Sequence, residues 1–198
     1  MKIKIGILAL AGLMIIMSCK DKQKSHLTQN SINLENMNFD ENGEKIIISA
    51  AKTLKTGLTE AVAKGGFQNG INVCSKVAQK LTDSISLAND IKMRTTSLKT
   101  RNHLNTPDEM EKTILAEIEK TYKSGGNLKG NSLQFPDGNT KVIKPIFIEK
   151  LCLNCHGDPI KDIKEDVYKL IKERYPDDFA VGYKEGDLRG MWVIDKKK

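Results

Sequence analysis

Six consecutive residues constrain this chain more than anything else in it: Cys152-Leu153-Asn154-Cys155-His156-Gly157. Two thiols three positions apart on one helical turn face the same way, and the residue after the second carries an imidazole. A C-x-x-C-H run is the attachment signature of c-type haem, in which the thiols reach the two vinyl groups of one macrocycle and the histidine lies beneath the iron. The chain around it must then form a compact turn with one side open to a large planar group. Two other chemistries share these residues. Cys74, Cys152, Cys155 and His156 would make a Cys₃His zinc set, although neighbouring side chains such as Cys155 and His156 bind one ion only with strain. A thiol-redox C-x-x-C pair would open a helix after a strand in a βαβ unit, whereas here a hairpin pattern precedes and Gly157-Asp158-Pro159 follows.

The N-terminus agrees with a group attached after export. Met1 to Lys4 is basic, Ile5 to Met17 is an apolar run, and Ile16-Met17-Ser18-Cys19 places a small residue directly before a cysteine, in the manner of a bacterial lipobox. A run of that length spans about 20 Å as a helix, short of the roughly 30 Å hydrocarbon core, so residues 1–18 read as a lipoprotein signal peptide with lipidation at Cys19. Several acyl chains there would give lasting membrane attachment. Lys20 after the cysteine favours the outer membrane, with the domain facing the periplasm or the cell surface. Residues 19–42 are polar and asparagine-rich without a regular period, which reads as a flexible tether reaching roughly 25 Å.

From Glu44 the spacing turns helical. Ile47, Ala51, Leu54, Leu58 and Ala61 recur at threes and fours until Gly65-Gly66, and Phe67, Ile71, Cys74, Ala78 and Leu81 line one face of a second helix with Cys74 turned inward. Ile91 to Leu98 is strand-like. Thr106-Pro107-Asp108-Glu109 offers an N-cap, an N1 proline and a capping-box glutamate for a helix running to about Tyr122. Ser132–Phe135 and Lys141–Ile148 flank Pro136-Asp137-Gly138-Asn139 as a hairpin, and Ala180–Tyr183 and Leu188–Ile194 flank Lys184-Glu185-Gly186-Asp187 in the same way. A further helix, about Ile163 to Arg174, lies between them. Helices first and adjacent antiparallel strands later give an α+β class, with residues 43–198 as one domain.

Cysteine accounting isolates one thiol. Of four cysteines, Cys19 is assigned to lipid and Cys152 and Cys155 to haem, which leaves Cys74 unpaired. It is either a small buried hydrophobe or a second ligand to the iron. His103, Met93, Met110 and Met191 are the other candidates, and His26 falls in the tether.

Three stretches resemble a known family, the PAS-like c-type haem-binding domains found alone in exported proteins and as sensory modules. They are Met93 to Lys99 with Arg101-Asn102 and Asn105-Thr106-Pro107; Lys144-Pro145-Ile146 leading into Cys152 to Pro159; and Tyr175 to Tyr183 with Gly186 to Gly190. The resemblance implies an antiparallel PAS-like sheet flanked by helices. It also implies one haem c per chain, ligated by the motif histidine and by a cysteine on an early helix, which here are His156 and Cys74. His103 stands where the family pattern has proline and is the rival to Cys74. Arginines make up only 4 of the 32 basic residues, and haem propionates favour bidentate cations, so Arg94 and Arg101 are assigned to them.

Composition narrows the function further. The net charge of +7 comes from lysines scattered among acids, with one Trp, four Tyr and five Phe to stack on bases, so nucleic-acid binding has no support. No Ser/His/Asp arrangement, phosphate loop or paired-carboxylate motif stands out, and Asp177-Asp178 reads as surface at a helix end. The expected function is therefore not enzymatic: electron transfer, or redox or gas sensing through a separate signalling partner in the periplasm.

Overall fold

The computed structural model describes residue 34 and residues 37–197. The first helix starts one turn earlier than its apolar spacing. Asp40 accepts a hydrogen bond from the Gly43 amide at 2.7 Å and caps α1, Glu41–Lys76. Gly66, with φ 70°, breaks the helical path and bends α1 into two arms. A second helix, α2 (Ala78–Asn89), then leads through Asp90 into strand β1 (Lys92–Thr96).

Helix α3 (Glu109–Lys123) begins later than the Thr106-Pro107 signal suggests. The Thr106 hydroxyl donates to the His103 carbonyl at 2.6 Å, so it does not cap; Asp108 does, with Glu111 completing the capping box. Strands β2 (Ser132–Gln134) and β3 (Thr140–Phe147) form the expected hairpin. A 3₁₀ turn, Lys150–Cys152, runs into the four-residue helix α4 (Leu153–His156). Helix α5 (Glu165–Arg174) and strand β4 (Leu188–Lys196) complete the chain.

The sheet is antiparallel in the order β1-β4-β3-β2. The expectation of an α+β fold with an antiparallel sheet flanked by helices is met. The second expected hairpin is not: β4 pairs with β1 and β3, and Ala180–Tyr183 is a loop whose backbone groups bond to the segment around His156. Those residues alternate as a strand would, but their hydrogen bonds are spent on the motif.

Alternating strand residues give the sheet two apolar faces. Met93, Val142, Trp192 and Ile194 pack on Ile47 and Ala50 of α1. Ile143, Met191 and Val193 pack on Ile114, Leu115 and Ile118 of α3, and Leu34 and Met37 close the edge of that layer. Asn38 forms a β-bridge with Ser132. The last part of the stretch read as a tether, residue 34 and residues 37–42, is therefore packed: Leu34 and Met37 are buried in the α3 layer, while Phe39 stays exposed. The signal peptide, Cys19 and the rest of the tether lie outside the described residues. No described helix is long and apolar enough to cross a membrane.

One buried charge ties α3 to the sheet. The Glu111 carboxylate is fully buried, pairs with Arg94 of β1, and accepts from Lys141 Nζ of β3 at 3.2 Å. Glu111→Gln breaks that network and leaves a buried guanidinium uncompensated. The expected loss is about 3 kcal/mol of unfolding free energy, read as a lower urea midpoint with an unchanged denaturant slope.

Candidate cofactor site

The motif sits where β1, β3 and β4 end or begin on one side of the sheet. The 3₁₀ turn and α4 wind Cys152, Cys155 and His156 into a single compact bend. Gly157 follows because nothing larger fits: a Cβ there would lie 2.6 Å from Asp162 Cβ and 2.7 Å from the Leu153 carbonyl. Cys152 packs with Ile148, Ala180 and Tyr183. Cys155 packs with Ile71 of the second α1 arm and with Val167 and Ile171 of α5.

The loop of residues 178–183 wraps this bend. Gly182 donates its amide to the Gly157 carbonyl at 2.8 Å and Tyr183 to the His156 carbonyl at 3.0 Å. His156 Nδ1 lies 2.8 Å from the Ala180 carbonyl oxygen. A carbonyl only accepts, so Nδ1 carries the proton and Nε2 is left with its lone pair, the arrangement of a metal-binding histidine steadied by a backbone acceptor. Burial, with the charges of Arg101 and Arg189, holds the His156 pKa well below its usual value, so the ring is neutral at pH 7.

Three thiols share the region. Cys74, Cys152 and Cys155 are all free; Arg101 and Cys152 act on Cys74, and Arg101, Cys74 and Cys152 act on Cys155. Burial pushes the Cys155 thiol up to about 11 and the Cys74 thiol up as well. Cys74 is nevertheless exposed to solvent. The expectation of an inward, core-facing Cys74 is corrected accordingly. Phe67 and Ile71 pack on α5, but α5 ends at Arg174, opposite Asn72, so the next turn of α1 lies beyond its cover.

Arg101 holds the bend together. Its Nε and Nη2 donate to the two oxygens of Asp178 at 3.2 and 3.0 Å, and Nη2 also donates to the carbonyls of Cys155 at 2.6 Å and Ala180 at 3.2 Å. The carbonyl that orients His156 is thus the one Arg101 grips. Asp178, read from sequence as surface, is a fully buried counter-ion. Its own Oδ1 also accepts from the Ala180 amide at 2.8 Å.

The family comparison agrees with this geometry. The family model for Tll0287-like proteins matches residues 16–196. The chain belongs to the Tll0287-like family. Its fold is similar to the crystal structure of the cyanobacterial haem protein Tll0287, with a TM-score of 0.58 at 22% identity, covering 80% of this chain and 97% of the other. No curated protein matches it.

For a Tll0287-like chain, the site separates the assigned residues into two groups. Cys74, Cys152, Cys155, His156 and Arg101 come together. Arg94 does not: it is committed to Glu111 on the α3 face of the sheet, with Nη1 buried and unpartnered. Met93 and Met191 are core, Met110 packs against the α3 layer, and His103 is exposed on a 3₁₀ turn. The zinc alternative loses its geometry, since among the described residues no group of three His, Cys, Asp or Glu side chains is placed to hold an ion. Sequence reading missed Asp178, the Ala180 carbonyl, Tyr183, Lys99 and Arg189. Arg189 alone had a signal, as a rare arginine in a family-like stretch; a backbone carbonyl has none.

Arg101→Gln strands the Asp178 carboxylate without a partner. The expected cost is about 3–5 kcal/mol, seen by chemical denaturation, with most of it recovered in Arg101→Gln/Asp178→Asn. Equal stability of the single and double variants would show that the pair does not hold the bend.

Proposed function

We propose that this chain is an exported redox protein that carries one covalently attached haem c. Cys152 and Cys155 would carry the thioether links, and His156 Nε2 and Cys74 would be the protein ligands to the iron. One observation carries the reading: on the same bend as two unpaired thiols, His156 gives its Nδ1 proton to the Ala180 carbonyl and keeps Nε2 free. A haem-protein relative within the same fold family supports it.

Bound there, haem supplies a one-electron iron centre. The protein's part is orientation and charge. Ala180 and Arg101 fix the plane of the His156 ring, and the neutral imidazole is ready to donate. Cys74 is a different kind of ligand. A thiol with a raised pKa keeps its proton at neutral pH, so Cys74 acts as an anion only against a centre positive enough to displace that proton. Solvent reaches the residue and would supply or take up that proton. This favours redox or gas sensing through ligand exchange at Cys74, with a separate periplasmic partner reading the change. A simple electron carrier, with both ligands fixed, is the second reading; the scattered lysines would then steer acidic partners. In either reading the domain is not an enzyme, and the lipid on Cys19 would tether it to the outer membrane.

Protein purified from cells that mature c-type haem is expected to show a Soret band and the peptide mass plus one haem. Cys74→Ala is expected to change the ferric spectrum and His103→Ala to leave it unchanged; the reverse pattern would move the ligand to His103. The reduced wild-type protein is expected to bind carbon monoxide. A six-coordinate reduced spectrum that ignores both carbon monoxide and nitric oxide would leave the carrier reading.

A further inference from the structure

Two cations beside His156 have no anion. Arg189 Nη1 donates to Ser97 Oγ at 2.7 Å and to the Lys99 carbonyl at 3.0 Å, and Lys99 Nζ donates to the Val181 carbonyl at 2.6 Å. Every one of these acceptors is neutral. Both cations lie over the Tyr183 ring, Lys99 Nζ at 4.4 Å and the Arg189 guanidinium carbon at 5.6 Å from its centroid. The same ring meets the His156 imidazole edge-on, with centroids 6.3 Å apart. Among the described residues Arg94 and Arg101 each pair with a buried carboxylate, while Lys99 and Arg189 pair with none.

The nearest acid does not compensate them. Asp178 reaches Arg189 through its charge, but both of its oxygens are already taken by Arg101. Arg101 and Arg189 both bear on the His156 imidazole, and Lys99 lies on the Tyr183 ring beside them, with Asp178 the one acid among them. Arg189 is half-buried and Lys99 exposed, so both stay open to an anion that arrives. Both cations rest on the Tyr183 ring, itself only 8% exposed, and Ser97 Oγ accepts from Arg189 Nη1. A guanidinium suits a partner with two acceptor oxygens.

We propose that Lys99 and Arg189 form a carboxylate-binding site next to His156, filled by a propionate of the group bound there or by a free carboxylate from solution. The first source rests on the haem reading above, and the second does not. Arg189 thereby replaces Arg94 as the cation for a haem carboxylate, and Arg101 is relieved of that role by its hold on Asp178.

The test follows the Arg189 Nε–H resonance in ¹⁵N-labelled full-length protein, assigned by its loss in Arg189→Gln. In the apoprotein, sodium acetate is expected to shift that resonance saturably where sodium chloride at equal ionic strength does not, and Lys99→Gln to weaken the response. In haem-loaded protein, loss of the acetate response identifies the propionate as the occupant; a persisting response identifies a free carboxylate. A flat acetate titration together with altered propionate infrared bands in haem-loaded Arg189→Gln also assigns the site to haem. A flat titration with unaltered bands and an unchanged reduction potential overturns the proposal. Should Arg189→Gln fail to fold, Lys99→Gln, at an exposed position, carries the same readouts. If the chain takes up no haem, the acetate response of the apoprotein still decides, so the two failures are told apart.

Discussion

The Arg101–Asp178 pair is the interaction on which the site depends. It is buried, bidentate and satisfied beyond its own two members: Asp178 also accepts an amide, and Arg101 also reaches two carbonyls. A buried ion pair contributes little to stability on average, because desolvation offsets attraction. Its value here is geometric. One planar guanidinium donates to the carbonyl of Cys155 on the bend and to that of Ala180 on the wrapping loop, so two segments far apart in sequence share a reference point. Lysine, a point donor, would not span them. The imidazole then inherits its orientation from that carbonyl.

The sheet supplies the platform, not the pocket. Both of its faces are covered, one by the first arm of α1 and the other by α3. The chemistry is displaced to the loops at the end of the sheet where β1 and β3 finish and β4 begins. Each of those loops delivers part of the site: Ser97 to Arg101 after β1, the Cys152–His156 bend after β3, and Asp178 to Tyr183 before β4, with Arg189 at the start of β4 itself. Antiparallel order with β4 in the middle is what brings the three together.

Much of this was legible in the sequence, for identifiable reasons. The α1 break at Gly65-Gly66, the β2–β3 hairpin and the C-x-x-C-H bend each depend on a few adjacent residues, and local chemistry is what sequence displays. Apart from the starts of α1 and α3, which shift by a local cap, the misreadings involve partners remote in the chain. Ala180–Tyr183 alternates like a strand but bonds to His156 and Gly157. Leu34 and Met37 looked isolated in a polar stretch yet complete the α3 layer. Asp178 looked like surface because its partner is 77 residues away. Arg94 and Arg101 looked alike, and only the fold shows that one faces Glu111 and the other Asp178. Cys74 falls between these cases: its helix was legible, but the point where α5 stops covering it was not.

That last feature bears on how the site can respond. The arm of α1 that carries Cys74 and the bend that carries His156 share one support, since Ile71 and Cys155 pack into the same cluster with Val167 and Ile171. The spacing between the two proposed ligands is therefore set by apolar packing with α5, independent of any bond to iron. A ligand held in place only by its metal would drag its helix away on release. Cys74, three residues past Ile71 and open to water, would keep that place whether or not it holds a ligand, since the packing with α5 does not depend on it. The cation that bears on its sulfur is Arg101, so the guanidinium that braces the bend is also the one that would respond to a change at Cys74.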